Sequence, residues 1–65
     1  MTITPAEIRA RAYEARVPID HLTKRAGMPN STFWRWETGR VQIRPSTVDR
    51  LVAALEAFEA ERNAA

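Results

Sequence analysis

Two glycines and a proline divide the middle of this chain into two short helical segments. Apolar residues recur at helical spacing up to Gly27, and glycine readily adopts the positive φ that closes a helix. Pro29 disfavours helix at the residue before it, so an extended turn should follow Gly27 and lead directly into a second helix. Gly39 supplies the next stop. The spacing therefore predicts helices over about residues 18–26 and 30–38, joined by a tight turn.

The second of these helices has an inward and an outward face. Phe33 and Trp36 lie three residues apart and should both point toward a core. The other faces carry Asn30, Ser31, Trp34 and Arg35. Asn30 or Ser31 could also cap the helix, because a side-chain oxygen can accept a free backbone N–H. We therefore predict a helix-turn-helix whose second helix presents a polar leading edge and an exposed Trp34.

Start signals place one further helix on each side of this motif. Thr4–Glu7 is a capping box with proline at the first helical position, and the helix that it opens should run to about Ala15. Ser46 should cap a last helix, with Asp49 in the reciprocal position of the box and an end near Glu61. We predict an all-α fold, a compact bundle of four or five short helices without strands.

The composition agrees with one small domain in a reducing compartment. The chain has 65 residues and no cysteine, which removes disulfides and thiolate metal sites. We expect a single domain over residues 1–65, with the helix-turn-helix at about 18–38. The longest apolar run, residues 51–55, is far shorter than the roughly 20 residues of a membrane span, and no signal peptide is visible. The expected location is the cytoplasm of a bacterial cell, near the nucleoid, without a membrane partner.

Charge is distributed unevenly along the chain, although the net charge is only +2. Residues 1–50 hold nine basic and five acidic side chains, a balance of +4, whereas residues 51–65 hold one basic and three acidic ones, a balance of −2. Such charges could simply solvate the helices. Their segregation favours one face turned toward phosphate and another turned away from it.

The chain resembles the Cro and phage-repressor family of DNA-binding domains, also called lambda-repressor-like or XRE-like. The resemblance spans roughly residues 3–55 and rests on an ordered set of residues: Leu22, Ala26 and Gly27, Ser31 to Phe33, Glu37 to Gly39, Pro45 and Ser46, Val48, Leu51 and Leu55. It implies sequence-specific binding of double-stranded DNA through the major groove. The function that it implies is transcription regulation, by a Cro-like phage or prophage repressor that binds a palindromic operator as a homodimer.

The resemblance also implies roles for single residues of the second helix. Asn30 and Ser31 match the leading base-contacting residues of the family, and Arg35 matches a later one. Arginine can donate two hydrogen bonds to guanine, and asparagine can pair with adenine. Trp34 could contact a thymine methyl or donate its N–H to a phosphate. Three of these residues have a structural alternative: Asn30 as a cap only, Arg35 as a solvated charge or a partner of Glu37, and Trp34 folded onto Val41 or Ile43.

The loop after the second helix carries polar residues at alternate positions. In an extended segment Arg40, Gln42 and Arg44 would point the same way, opposite Val41 and Ile43. In the family this loop lies along the phosphate backbone, where contacts fix register without reading sequence. The phosphate contacts predicted for this chain are Thr32, Thr38, Arg40, Gln42 and Arg44. The alternative is a solvated loop.

The chain departs from the family pattern at Pro18, Ile19, Thr23 and Ala12. Ile19 stands where the family often has a glutamine that contacts phosphate, and Thr23 replaces the usual alanine where the two helices of the motif approach each other. Pro18 stands where the family usually has a hydroxyl cap at the start of the first helix of the motif. The family often pairs an arginine of the preceding helix with the glutamate that corresponds to Glu37, but the matching position here is Ala12. Arg9 or Arg16 could take the place of that arginine.

A dimer contact is predicted near the end of the last helix. Phe58 lies past the point where a core of this size should close, and with Leu55 it could form a self-complementary apolar patch. The alternative is that Phe58 packs back onto the first helix near Ile3 and Ile8.

Catalysis finds no support in the sequence. His21 is the one histidine, no nucleophile lies beside a candidate base, and both glycines are explained as helix stops. We expect no enzymatic activity, cofactor, metal site or small-molecule substrate. A second functional class stays open: an antitoxin-like or assembly protein that uses this fold, with Trp34 and Phe58, to bind another protein. An antitoxin that represses its own promoter would satisfy both interpretations.

Overall fold

A computed structural model describes residues 3–64, and they form four helices. The helices are α1 (Pro5–Glu14), α2 (Ile19–Ala26), α3 (Asn30–Glu37) and α4 (Pro45–Ala64). No strand occurs in this part of the chain. The predicted all-α architecture and helix-turn-helix are confirmed. The prediction of short helices is wrong for α4, which has 20 residues.

The start of α1 forms as predicted. The hydroxyl of Thr4 accepts the N–H of Glu7 at 3.1 Å, and the Glu7 carboxylate accepts the N–H of Thr4 at 3.1 Å. Pro5 occupies the first helical position, where its missing N–H costs nothing. Ile3, just before the cap, packs against the core that contains Ile8. The cap at the start of α1 is therefore specified by adjacent residues.

The two predicted glycine stops are confirmed. Gly27 has a φ of 78°, and its N–H donates to the carbonyl of Lys24 at 3.2 Å, while the N–H of Met28 donates to Thr23 at 3.0 Å. Gly39 ends α3 with the same φ. In each case the left-handed residue lets the chain reverse while the last carbonyls keep their hydrogen bonds.

The end of α1 uses the same turn without a glycine. Arg16 has a φ of 60°, its N–H donates to Tyr13 at 3.1 Å, and the N–H of Val17 donates to Ala12 at 2.8 Å. A left-handed conformation brings a Cβ close to the backbone carbonyl and costs about 1–2 kcal/mol. Arg16 is exposed, so its side chain can be changed without disturbing the core.

The Arg16→Gly variant should therefore be more stable than the wild type by about 1 kcal/mol, because glycine adopts this φ without steric cost. In a domain of this size the melting temperature should rise by roughly 4–8 °C, measured by circular dichroism. The matched control is Arg16→Ala, which removes the same charge but keeps the Cβ. If both variants raise the melting temperature equally, the gain does not come from relief of the left-handed backbone conformation at residue 16.

The predicted caps of α3 and α4 are wrong for a common reason. Pro29, not Asn30 or Ser31, is the N-cap of α3, and no side chain caps this helix. The Pro29 carbonyl accepts the N–H groups of Thr32 and Phe33, at 3.1 and 3.4 Å. The backbone of the extended proline thus starts the helix, and the two polar side chains are left free in its first turn.

Likewise, α4 starts at Pro45 rather than after Ser46. The carbonyl of Arg44 accepts the N–H groups of Thr47 and Val48 at 2.9 and 3.0 Å. Proline at the first helical position brings the φ that a helix needs. Ser46 therefore lies inside the first turn and is not the cap.

All four helices contribute to one apolar core. Its buried members are Ile8, Ala12, Leu22, Ala26, Met28, Phe33, Leu51, Ala54 and Leu55. Trp36 packs against this core as predicted, edge to face with Phe33 at 5.8 Å between ring centroids. Thr23 is buried as well, and its hydroxyl donates to the carbonyl of Asp20 at 3.2 Å. Among residues 3–64 no helix combines the length and apolarity needed to cross a membrane.

The predicted dimer contact at Leu55 is wrong, because this side chain is fully buried inside the monomer. Helix α4 packs against both α2 and α1, and its contact with α2 is the more extensive. Phe58 is partly buried against the same core, and the guanidinium of Arg25 lies 4.6 Å from its ring centroid. Arg25 also pairs with Glu61 at 2.7 Å. Contacts within the monomer thus use most of the patch that was predicted to form a dimer.

Candidate nucleic-acid interface

The exposed side of α3 brings together the four residues predicted to read bases. Asn30, Ser31, Trp34 and Arg35 are all exposed, and Trp34 is 51% accessible. Residues four apart on a helix are neighbours on its surface, so Trp34 follows Asn30 and Arg35 follows Ser31 along one side. Opposite them, Phe33 is buried in the core. Packing of the apolar face thus determines which side of α3 faces solvent.

Two structural alternatives for these residues do not hold. Asn30 does not act as the cap, because Pro29 takes that position. Arg35 is not the partner of Glu37, because Glu37 accepts two hydrogen bonds from Arg9, one of them at 2.8 Å from Nη2 to Oε1. Among residues 3–64 the ion pairs join Arg9 to Glu37, Arg11 to Glu59 and Arg25 to Glu61. Asn30 and Arg35 are therefore free of the roles that would compete with DNA.

The ion pair between Arg9 and Glu37 attaches α1 to the end of α3. Of the two arginines that could replace the usual partner, Arg9 is the one that forms the contact. Its guanidinium also lies 5.8 Å from the ring centroid of Phe33. The hydrogen bonds from Arg9 hold the pKa of Glu37 below its ordinary value. The ion pair thereby helps to fix the orientation of α3 relative to α1. It does not involve the exposed face of α3, which carries the four residues predicted to read bases.

Stability should depend on pH through this pair. A carboxylate whose pKa is lowered on folding contributes stability above its unfolded pKa of about 4.3 and loses it as the pH falls through the folded pKa. The difference in unfolding free energy between wild type and Glu37→Gln should therefore be at most about 1 kcal/mol near neutral pH and vanish in acid, since both side chains are partly solvated. Urea titrations over this pH range measure it. Glu14→Gln, at an exposed site outside the ion pairs, is the control, and an equal effect there would contradict the assignment.

The loop after α3 partly follows the predicted alternation. Arg40, Gln42 and Arg44 are exposed, and Ile43 packs against the core as predicted. Val41 does not turn inward but is 38% exposed. The N–H groups of Arg40 and Val41 both donate to the carbonyl of Arg35, at 2.8 and 3.4 Å. Because this turn is not extended, the alternation of inward and outward side chains begins only after Val41.

Thr38 is poorly suited to the predicted phosphate contact. Its hydroxyl lies within donating distance of the carbonyls of Trp34 and Arg35, at 3.0 and 3.2 Å. A hydroxyl has one proton, and a phosphate oxygen can only accept. We therefore assign the hydroxyl of Thr38 to hydrogen bonding with the last carbonyls of α3 rather than to a phosphate contact. Thr32, in contrast, lies partly exposed in the first turn of α3.

One contact of this surface was not predicted. The guanidinium of Arg40 lies over the ring of Trp34, 5.4 Å from its centroid. The tight turn at Gly39 returns the chain toward α3 and brings the two side chains together. Trp34 therefore does not need to fold onto Val41 or Ile43 to be packed. No sequence pattern pairs residues six apart, so only the geometry of the turn could reveal this contact.

The comparisons with known proteins agree with this architecture. A sequence model of the family described as a helix-turn-helix domain matches residues 6–65, which includes the whole of α2, the turn and α3. No curated protein and no solved structure matches the chain. The family match covers nearly the entire length and coincides with the helices that form the core. The chain therefore belongs to the helix-turn-helix domain family, in the Cro-like or XRE-like class of DNA-binding domains.

Proposed function

We propose that this protein is a sequence-specific transcription regulator that inserts α3 into the major groove of double-stranded DNA. The observation that carries the proposal is the free polar edge of α3. Asn30, Ser31 and Arg35 are exposed, and none of them caps the helix or joins an ion pair of residues 3–64. A folded domain that leaves such side chains without intramolecular partners on an exposed helix face has a surface suited to base edges.

The dimensions of α3 agree with this role. The eight residues of α3 form an α-helix, which is about 10–12 Å across with its side chains and so fits a major groove about 12 Å wide. In this binding mode the first turn of the second helix contacts bases while the first helix braces it across the backbone. Asn30 and Ser31 would read bases at the leading end, with Arg35 one turn later.

The loop between α3 and α4 supports the orientation of the domain on DNA. Arg40, Gln42 and Arg44 are exposed beside the recognition helix, and neither arginine joins an ion pair within residues 3–64. We propose that these three side chains and Thr32 contact phosphates. Such contacts position the protein without reading sequence.

In its finer form the proposal is a Cro-like phage or prophage repressor that acts as a homodimer. Two copies of α3 related by a two-fold axis can read a palindromic operator with half-sites about one helical turn apart. The buried Leu55 is not available to such a dimer. The contact between copies would use the exposed surface of the domain, including the part of Phe58 that the core does not bury.

Selection of random-sequence duplex DNA on the purified protein tests the function. We expect an enriched palindrome and steeply salt-dependent binding. If a dimer neutralises about eight phosphates, log K should fall against log salt with a slope of about −7. The mass of the complex in solution then tests the dimer.

A flat salt dependence and no enrichment at low salt would contradict DNA binding. That outcome would favour the alternative, an antitoxin-like or assembly protein that uses the same fold to bind another protein.

A further inference from the structure

The exposed pair of Trp34 and Arg40 differs from the other cation–π contacts of this chain. Arg9 over Phe33 and Arg25 over Phe58 involve rings that are buried or partly buried in the bundle. Trp34 is half exposed, and Arg40 covers its ring on the outer surface, at the junction of α3 and the loop. This pair therefore contributes little to the core and lies where the proposed interface needs a defined geometry.

The backbone holds Arg40 in place for this contact. Its N–H donates to the carbonyl of Arg35 at 2.8 Å, and the N–H of Gly39 donates to Trp36 at 3.1 Å. Together these two hydrogen bonds form the turn that closes α3. The Cα of Arg40 thus has a fixed position relative to α3, and the only freedom left is in the side chain, which the indole restricts.

We propose that Trp34 is a positioning residue that holds the guanidinium of Arg40 against α3 so that its N–H groups face a DNA phosphate. The inference rests on the proposed DNA binding and deepens it by assigning Trp34 a different role from base reading. A guanidinium that stacks on a ring uses its face, whereas its five N–H donors lie in its plane and remain available. Stacking and phosphate binding are therefore compatible in one arginine.

The advantage of the arrangement is preorganisation. A free arginine must lose rotamer freedom when it binds a phosphate, and a side chain already held on a ring loses less. Arg44 provides the comparison within the same loop. It is exposed and basic like Arg40, but no aromatic ring of the described residues stacks on it. Trp34 should therefore matter for the contact of Arg40 and not for that of Arg44.

The stacking itself can be tested without DNA. In NMR spectra of the free protein, the side-chain protons of Arg40 should be shifted upfield by the indole ring current. The shift should disappear in Trp34→Ala and persist in Trp34→Phe, while the Arg44 protons stay unchanged in all three proteins. Arg40 shifts equal to those of an unstacked arginine in the wild type would overturn the proposal directly.

The role on DNA can be tested with two probes, a duplex recovered by selection and a random-sequence duplex. Trp34→Ala should weaken binding to both by a similar factor of several-fold, because phosphates carry no sequence information. It should also reduce the salt slope by about 1 per bound protomer, as Arg40→Ala should. Trp34→Phe should restore most of the loss. Weakening of the selected duplex alone would mean that Trp34 reads bases, and would overturn the proposal.

Double-mutant cycles give the sharpest comparison. Arg40→Ala should have little further effect in the Trp34→Ala background, whereas Arg44→Ala should have its full effect in either background, because independent sites are additive. Additive effects of Trp34→Ala and Arg40→Ala would overturn the proposal. If the wild type binds neither duplex, the proposed function and the phosphate contact fail together, and the ring-current shift alone decides whether the pair is formed.

Discussion

Truncation of Phe33 to alanine should remove a large part of the free energy of unfolding of this protein. Phe33 is 1% exposed, belongs to α3 and fills the centre of the core. Loss of such a ring costs about 3–5 kcal/mol through lost burial and the cavity that remains. The total stability expected for 65 residues is roughly 3–10 kcal/mol. The same change removes the ring that Trp36 packs against, edge to face. Helix α3 should therefore lose its packing on the core before the other helices do.

Urea titration followed by circular dichroism measures this loss. The matched control is Tyr13→Ala, which also removes an aromatic ring but from a side chain that is 84% exposed. The control should change the unfolding free energy by no more than about 0.5 kcal/mol, as exposed sites usually do. If the free energy of unfolding falls equally in both variants, the burial of Phe33 does not account for the packing of α3 on the core.

The features predicted from sequence are those that depend on neighbouring residues. Gly27 and Gly39 end helices because the conformation that they need is a local property. The inward position of Phe33 and the exposure of Trp34 follow from the helical period. The capping box at Thr4 lies within one turn of chain. Each of these predictions required no knowledge of the rest of the fold.

The predictions that were wrong concern two features: helix starts where two residues compete to be the cap, and burial by parts of the chain that are distant in sequence. Asn30 and Ser46 are good capping residues, but a proline stands just before each of them. Pro29 is itself the N-cap of α3, whereas Pro45 is the first residue of α4 and the carbonyl of Arg44 accepts the first N–H groups of that helix. The exposure of Leu55 depends on whether other helices pack against α4, and α2 and α1 both do so. Sequence periodicity shows that α4 has an apolar stripe but not which helix buries it.

The contacts that shape the candidate interface come from distant parts of the chain. Arg9 and Glu37 are 28 residues apart, and no local pattern pairs them; the family resemblance pointed to Glu37 and left two arginines as partners. The contact of Arg40 with Trp34 depends on the turn at Gly39. The exposed face of α3 could therefore be predicted, whereas the side chains that orient and extend it could not.

Replacement of Arg35 by alanine should have the largest effect on DNA binding of any single change at the exposed face. A bidentate contact from arginine to guanine discriminates against the wrong base by about 1–3 kcal/mol, a factor of roughly 5–150 in affinity. Arg35 is exposed and outside the ion pairs of residues 3–64, so its removal should leave the fold intact. Competition between the selected duplex and point-substituted duplexes measures the discrimination between bases. Arg35→Ala should lose this discrimination at one base-pair position in each half-site and keep it at the others.

Two further variants separate base reading from simple charge. Arg35→Lys keeps the charge but cannot form the planar pair of hydrogen bonds, so it should retain the salt slope and lose the discrimination. Arg62→Ala removes one exposed positive charge from the last turn of α4 and should change neither quantity. If Arg35→Ala weakens binding to selected and random duplexes equally, Arg35 contacts a phosphate, and base reading rests on the first turn of α3 alone.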